Sequence, residues 1–168
     1  MTDAVTAVVT LAELPLEPFA EGERFACADA GLSERLGLSQ LGAAYCEVPP
    51  GKSACPFHVH HVEDELFIIL SGSGRYRFGE QSFDVKAGDV LGAPHGGADY
   101  AHQLINTGSE PLKYMAISSR SETEVCEYPD SGKFLVASRR SLGRLNSFRF
   151  IGRQESNCDY WDGETTPK

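Results

Sequence analysis

Short stretches of alternating hydrophobic and polar positions, broken every few residues by turn-forming pairs, fill the middle of the chain. Eight runs of strand length stand out, at 41–48, 57–61, 65–70, 74–78, 82–85, 89–93, 102–106 and 112–117. None keeps a helical period, and the breaks between them are rich in Gly, Pro and Ser: Pro49-Pro50-Gly51, Ser71-Gly72-Ser73-Gly74, Gly79-Glu80, Ala87-Gly88-Asp89, Gly96-Gly97 and Thr107-Gly108-Ser109. Many short strands closed by such turns predict an all-β sandwich or barrel. Residues 1–40 read as an irregular arm, in which Leu32, Ser33 and Leu36 support one or two helical turns. Regularity falls again after 118. Tyr128-Pro129-Asp130-Ser131-Gly132 marks a turn, and 119–168 reads as an extension packed on the barrel or on a neighbouring subunit.

Size and charge narrow the picture. A chain of 168 residues buries roughly 70% of its extended surface, enough for one core and too little for two ordinary domains. The formal net charge of -9 repels phosphate backbones and anionic lipid, so neither nucleic acid nor membrane is expected as a partner. The basic stretch Arg139, Arg140, Arg144, Arg149 and Arg153 is interleaved with apolar residues, among them Phe134, Leu135, Leu142, Leu145, Phe148, Phe150 and Ile151. Those residues are expected to seek the core, with the arginines pairing to the acidic body. The five cysteines are odd in number and lack a CxxC spacing, which suits neither a disulfide framework nor a zinc ribbon. With no basic start before Val8 and Val9 and no apolar run near the ~20 residues of a membrane helix, a cytoplasmic protein is expected.

Candidate chemistry concentrates between 51 and 72. In a strand His58 and His60 project to the same side, where two imidazoles can grip one ion, and Glu65 opens the next run with Phe67 and Ile69 on its face. A third imidazole is expected from His102, with His95 as its competitor. Such a mixed nitrogen and oxygen set suits one divalent ion of Fe, Mn, Zn, Ni or Co. His61, Glu63 and Asp64 fall off the inward phase and read as a solvated turn, while Cys46 and Cys55 read as small buried hydrophobes.

These residues carry a resemblance to the cupin superfamily. Gly51, His58, His60, Glu65 and Gly72 resemble its first motif, with a lead to the first histidine one residue longer than usual. Gly88, Pro94, Gly96, His102 and Asn106 resemble the second, with the gap from Gly96 to His102 three residues longer. The likeness spans 41–118 and implies a jelly-roll or double-stranded β-helix barrel, a divalent metal held by His58, His60, Glu65 and His102, and a homodimer. The Gly37-Leu38 lead-in, the Pro49-Pro50-Gly51 turn and the Tyr128-Pro129-Asp130 tail resemble a branch commonly described as sugar-phosphate isomerases. A metal-dependent isomerase of a small polar substrate is therefore favoured, the ion polarising adjacent carbonyl and hydroxyl oxygens. An Fe(II) dioxygenase-type cupin and a non-catalytic small-molecule binder stand as alternatives, because this fold hosts many functions.

Tyr45, Arg75, Gln103 and Tyr114 are the candidate substrate contacts, on strands expected to line or flank the cavity. Arg77 and Lys113 are similar cases. No unliganded base and no Gly-rich phosphate cradle is evident.

Overall fold

The computed structural model describes residues 5–139 and 148–164. Among them run thirteen strands. The first eight are β1 (Glu17–Glu21), β2 (Phe25–Gly31), β3 (Leu41–Val48), β4 (Val59–His60), β5 (Glu65–Ser71), β6 (Ser73–Phe78), β7 (Gln81–Lys86) and β8 (Val90–Ala93). There follow β9 (His102–Ile105), β10 (Leu112–Ser119), β11 (Thr123–Tyr128), β12 (Lys133–Ser138) and β13 (Phe148–Arg153).

One layer is a six-stranded sheet in the order β1-β2-β3-β10-β5-β8. The other consists of β13-β12-β11-β4 and β7-β6-β9. These two pieces meet where His58 and His102 exchange backbone hydrogen bonds of 3.1 and 2.7 Å. Every ladder between strands is antiparallel, and the whole is an all-β jelly roll. Between the layers the alternation of each strand turns Cys46, Val48, Phe67, Ile69, Tyr76, Leu91, Leu104, Leu112 and Tyr114 into one buried core.

The flanking segments are more regular than their composition implies. β2 pairs with β3 and β1 with β2, so the N-terminal arm extends the large sheet. The helical turns expected at 32–38 reduce to a single turn, closed by Leu36 N–H to Leu32 O at 2.9 Å. β11 pairs with both β12 and β4, which stitches the C-terminal extension onto the barrel wall. Phe148, Phe150 and Ile151 are exposed rather than buried, because β13 pairs only with β12 and lies at the edge of its sheet. Arg139 does pair with an acid of the body, Glu63, at 3.0 Å. Arg140, Leu142, Arg144 and Leu145 lie outside the described residues.

Candidate metal centre

The short strand β4 fixes the first two imidazoles. Val59 between them is fully buried on the opposite side, in a small cluster with Phe57 and Ala101, so alternation turns His58 and His60 together toward the inside. A turn at 61–64 then brings Glu65, the first residue of β5, across from them, and the His58 to His102 pairing sets the third imidazole beside the first. Glu65 Oε2 lies 3.7 Å from His58 Nε2, 3.3 Å from His60 Nε2 and 3.0 Å from His102 Nε2. The ligating atoms of His58, His60 and Glu65 all fall within 4.8 Å of one another.

Each ring is anchored through its other nitrogen. His58 Nδ1 lies 2.9 Å from Pro56 O, His102 Nδ1 3.3 Å from Tyr100 O, and His60 Nδ1 3.2 Å from Cys126 Sγ. A carbonyl only accepts, so His58 and His102 carry a proton on Nδ1, which makes Nε2, the nitrogen that faces Glu65, the one an ion would take in exchange for a proton. Two imidazole nitrogens and one carboxylate oxygen gathered at one place, with His102 Nε2 against the same carboxylate and every ring tied from behind, fit a divalent transition ion.

The electrostatics follow from this crowding. Burial opposes ionisation of Glu65, yet the hydrogen bonds from His102, His58 and His60 hold its carboxyl well below the usual carboxylate range. Burial also opposes a charge on His58, but contacts with Cys55 and Glu65 raise it to about 11. For His60, contacts with Cys126 and Glu65 outweigh burial and raise it to about 10. Burial lowers His102, and the neighbouring His58 adds to that.

Residues 44–118 match a family described as "Cupin domain". The barrel is a cupin domain. Solved structures of similar shape include a candidate sugar phosphate isomerase from Acidithiobacillus ferrooxidans, 24% identical with a TM-score of 0.76, covering 91% of this chain and 96% of that one. A cupin-superfamily sugar phosphate isomerase from Silicibacter pomeroyi is 19% identical with a TM-score of 0.75, covering 92% and 98%. At such identity these neighbours speak for the fold. An oxalate-binding protein from Thermotoga maritima is 34% identical over 74 residues, 44% of this chain and 58% of that protein. The chain spans between 58% and 64% of the curated relatives it matches.

The candidate substrate contacts do not gather at the cupin centre. Arg75 turns to solvent and pairs with Asp84 at 3.3 Å, because it alternates with the buried Tyr76. Tyr45 lies on the face of β3 opposite Cys46 and donates its hydroxyl to Glu47 at 2.7 Å, beside Lys113, which pairs with the same carboxylate at 2.9 Å. Gln103 faces away from His102; its amide donates to Cys55 O at 2.9 Å and its carbonyl accepts from Arg77 at 2.9 Å. Tyr114 is inside, but as a core residue set edge-on to Phe67 at 5.9 Å. His95 stands at the surface with Asp64, 2.6 Å from Nδ1 to Oδ1. Glu63 is buried, contrary to the solvated reading of its turn, because Ser121 N–H at 2.7 Å and Arg139 at 3.0 Å both reach its Oε1.

A cavity of about 340 Å³ has Glu65 in its lining, together with Glu34, Ser33, Ser118, Arg120 and Arg139. Gly42, Ala44 and Ala116 complete its wall with minimal bulk. The sequence reading missed Arg120, Glu34, Glu124 and Cys126. The alternation in Thr123-Glu124-Val125-Cys126-Glu127-Tyr128 was the available signal for the last two, because it is that of a strand with one face turned inward.

Proposed function

We propose that this cupin is a metal-dependent enzyme acting on a small, anionic, oxygen-rich substrate, and that sugar-phosphate isomerisation is its reaction. One observation carries the reading: the cavity that reaches Glu65 of the imidazole cluster is the one lined by Arg120 and Arg139. His58, His60, Glu65 and His102 would hold a divalent ion, which when bound supplies Lewis-acid polarisation of adjacent carbonyl and hydroxyl oxygens. Arg139 is committed to Glu63 and to Ser121 O, at 3.0 and 2.8 Å. Arg120 has no acidic partner among the described residues. It is therefore the cation free to take a substrate phosphate. Glu34 is the cavity's unliganded carboxylate. Its role is to take the proton from one substrate carbon and return it to the neighbouring one, while the hydroxyl proton passes between the two adjacent substrate oxygens, so that aldose–ketose exchange balances.

The test is turnover of a panel of aldose and ketose phosphates by protein loaded in turn with Mn, Zn, Co, Ni and Fe(II). Turnover is expected with at least one ion. Arg120→Gln is expected to raise KM by about tenfold, the loss of one charge-assisted contact. Glu34→Gln is expected to lower kcat by about 100-fold. Absence of turnover across the panel in every loaded form overturns the isomerase.

A second reading, binding of a small dicarboxylate without turnover, is favoured by the Thermotoga maritima oxalate-binding relative. Stabilisation of the metal-loaded protein by oxalate, with every sugar phosphate left unchanged, selects it.

A further inference from the structure

Three alternate residues of β11 stand behind the imidazoles. Cys126 is the cross-strand partner of His60 and brings Sγ to 3.2 Å from its Nδ1. Glu124 Oε2 lies 3.9 Å from the same nitrogen. The ring of Tyr128 stacks over that of His58, centroids 6.2 Å apart and planes inclined by 29°. All three come from the extension beyond the 44–118 cupin match.

The side chains of His60, Glu124 and Cys126 are close enough to invite an ion of their own, with ligating atoms within 4.8 Å. Glu124 is already occupied. Its Oε1 accepts the N–H groups of His61, Val62 and Val125 at 3.0, 3.2 and 2.8 Å, and its Oε2 accepts that of Glu63 at 2.8 Å. A carboxylate with four backbone donors is spent on holding the turn between β4 and β5.

What remains for the pair is control of the His60 tautomer. The carbonyls behind His58 and His102 admit one arrangement, but a thiol admits two. Cys126 can accept from Nδ1–H, which leaves Nε2 bare, or donate to a bare Nδ1, which puts the proton on Nε2 and blocks it. The Glu124 charge 3.9 Å away attracts an N–H and repels a lone pair, so it selects the first.

We propose that Cys126, with the direction of its hydrogen bond set by Glu124, is a positioning residue that holds His60 with Nδ1 protonated and Nε2 open to the ion, and so sets the affinity of the centre. This rests on the reading of His58, His60, Glu65 and His102 as ligands.

The full chain and its Cys126→Ala, Cys126→Val and Cys126→Ser variants are titrated with Co(II) against a chromophoric chelator. The visible spectrum of bound Co(II) and the melting of the metal-free proteins are recorded alongside. Ala and Val are expected to weaken Co(II) binding about 10- to 100-fold and to alter the spectrum. Ser is expected to stay within about threefold of wild type, because a hydroxyl accepts the same bond. Val preserves the packed volume where Ala opens a cavity. A packing role predicts the reverse order, with Val closest to wild type and Ser furthest. That order, or Ala and Val binding within about twofold of wild type, overturns the inference while leaving the metal centre standing. Failure of the wild-type protein itself to bind Co(II) overturns the ligand reading and the inference with it.

Discussion

A half-buried carboxylate shared by three imidazoles needs all four groups held in place, because any one of them set free would turn away to water. Here Pro56 O, Tyr100 O and Cys126 Sγ hold the rings from behind, and Glu65 Oε2 meets all three Nε2 atoms within 3.7 Å. Glu65→Gln replaces one acceptor oxygen by an amide that donates toward the same place. We expect it to weaken divalent-ion binding by about 10- to 100-fold in a chelator competition, while His95→Ala, which removes only an exposed partner of Asp64, changes it by less than about twofold. Equal losses in both variants would move the third imidazole away from His102.

At this scale the cluster of imidazoles around Glu65 was legible and the facing of the candidate substrate contacts was not, for one reason. His-x-His and the Glu that opens the next strand are typed by their chemistry. For Tyr45, Arg75 and Gln103, by contrast, the period of two states only that neighbours face opposite ways, leaving open which way is in. Cys46 and Tyr76, not Tyr45 and Arg75, take the interior face of their strands.

The strands owe their legibility to their ends. Gly72, between β5 and β6, has φ of 84°, and a Cβ there would stand 2.7 Å from Pro111 O. The position needs both the left-handed backbone and the close approach that only glycine permits. Gly72→Ala is expected to cost about 2 to 4 kcal/mol in denaturant unfolding, and Gly22→Ala, also at positive φ but with open space around it, about 1 to 2. Equal costs at the two sites would show that crowding by Pro111 is relieved at no penalty. Asn106 ends β9 in the same decisive way, bonding Val48 O at 2.8 Å and Glu110 O at 2.9 Å, so its place in the motif is architectural. The elements missed lack such marks. β2 is Phe-Ala-Cys-Ala-Asp-Ala-Gly, small residues of low strand propensity that pair because β3 offers them an edge. Glu63 hides in a turn whose polar look conceals two donors from far along the chain, at Ser121 and Arg139.

For the molecule as a whole, protons and metal compete for one cluster, and the competition fixes how stability depends on pH. The folded pKa of Glu65 is lowered, so its contribution is present above the ordinary 4.5 and is lost as pH falls toward the folded value. Those of His58 and His60 are raised to about 11 and about 10. Their contribution is whole below the ordinary 6.5 and drains away as pH climbs to those values. His102 is lowered, so it adds a loss as pH falls below 6.5. The metal-free protein should therefore melt highest near about pH 6.5 and lower on either side. An ion asks for the opposite condition, since it must displace the protons that His58 and His60 hold. Its affinity should rise by up to roughly 100-fold per pH unit, two protons leaving for each ion bound. The rise in melting temperature produced by a fixed concentration of Zn or Co(II) should accordingly be small near pH 5.5 and grow steadily to pH 8, even as the metal-free baseline declines. Calorimetric scans at matched ionic strength measure both curves at once. A metal shift that is flat or shrinking with pH would mean that these two imidazoles do not take the ion, and the cavity beside Arg120 would then lose its electrophile.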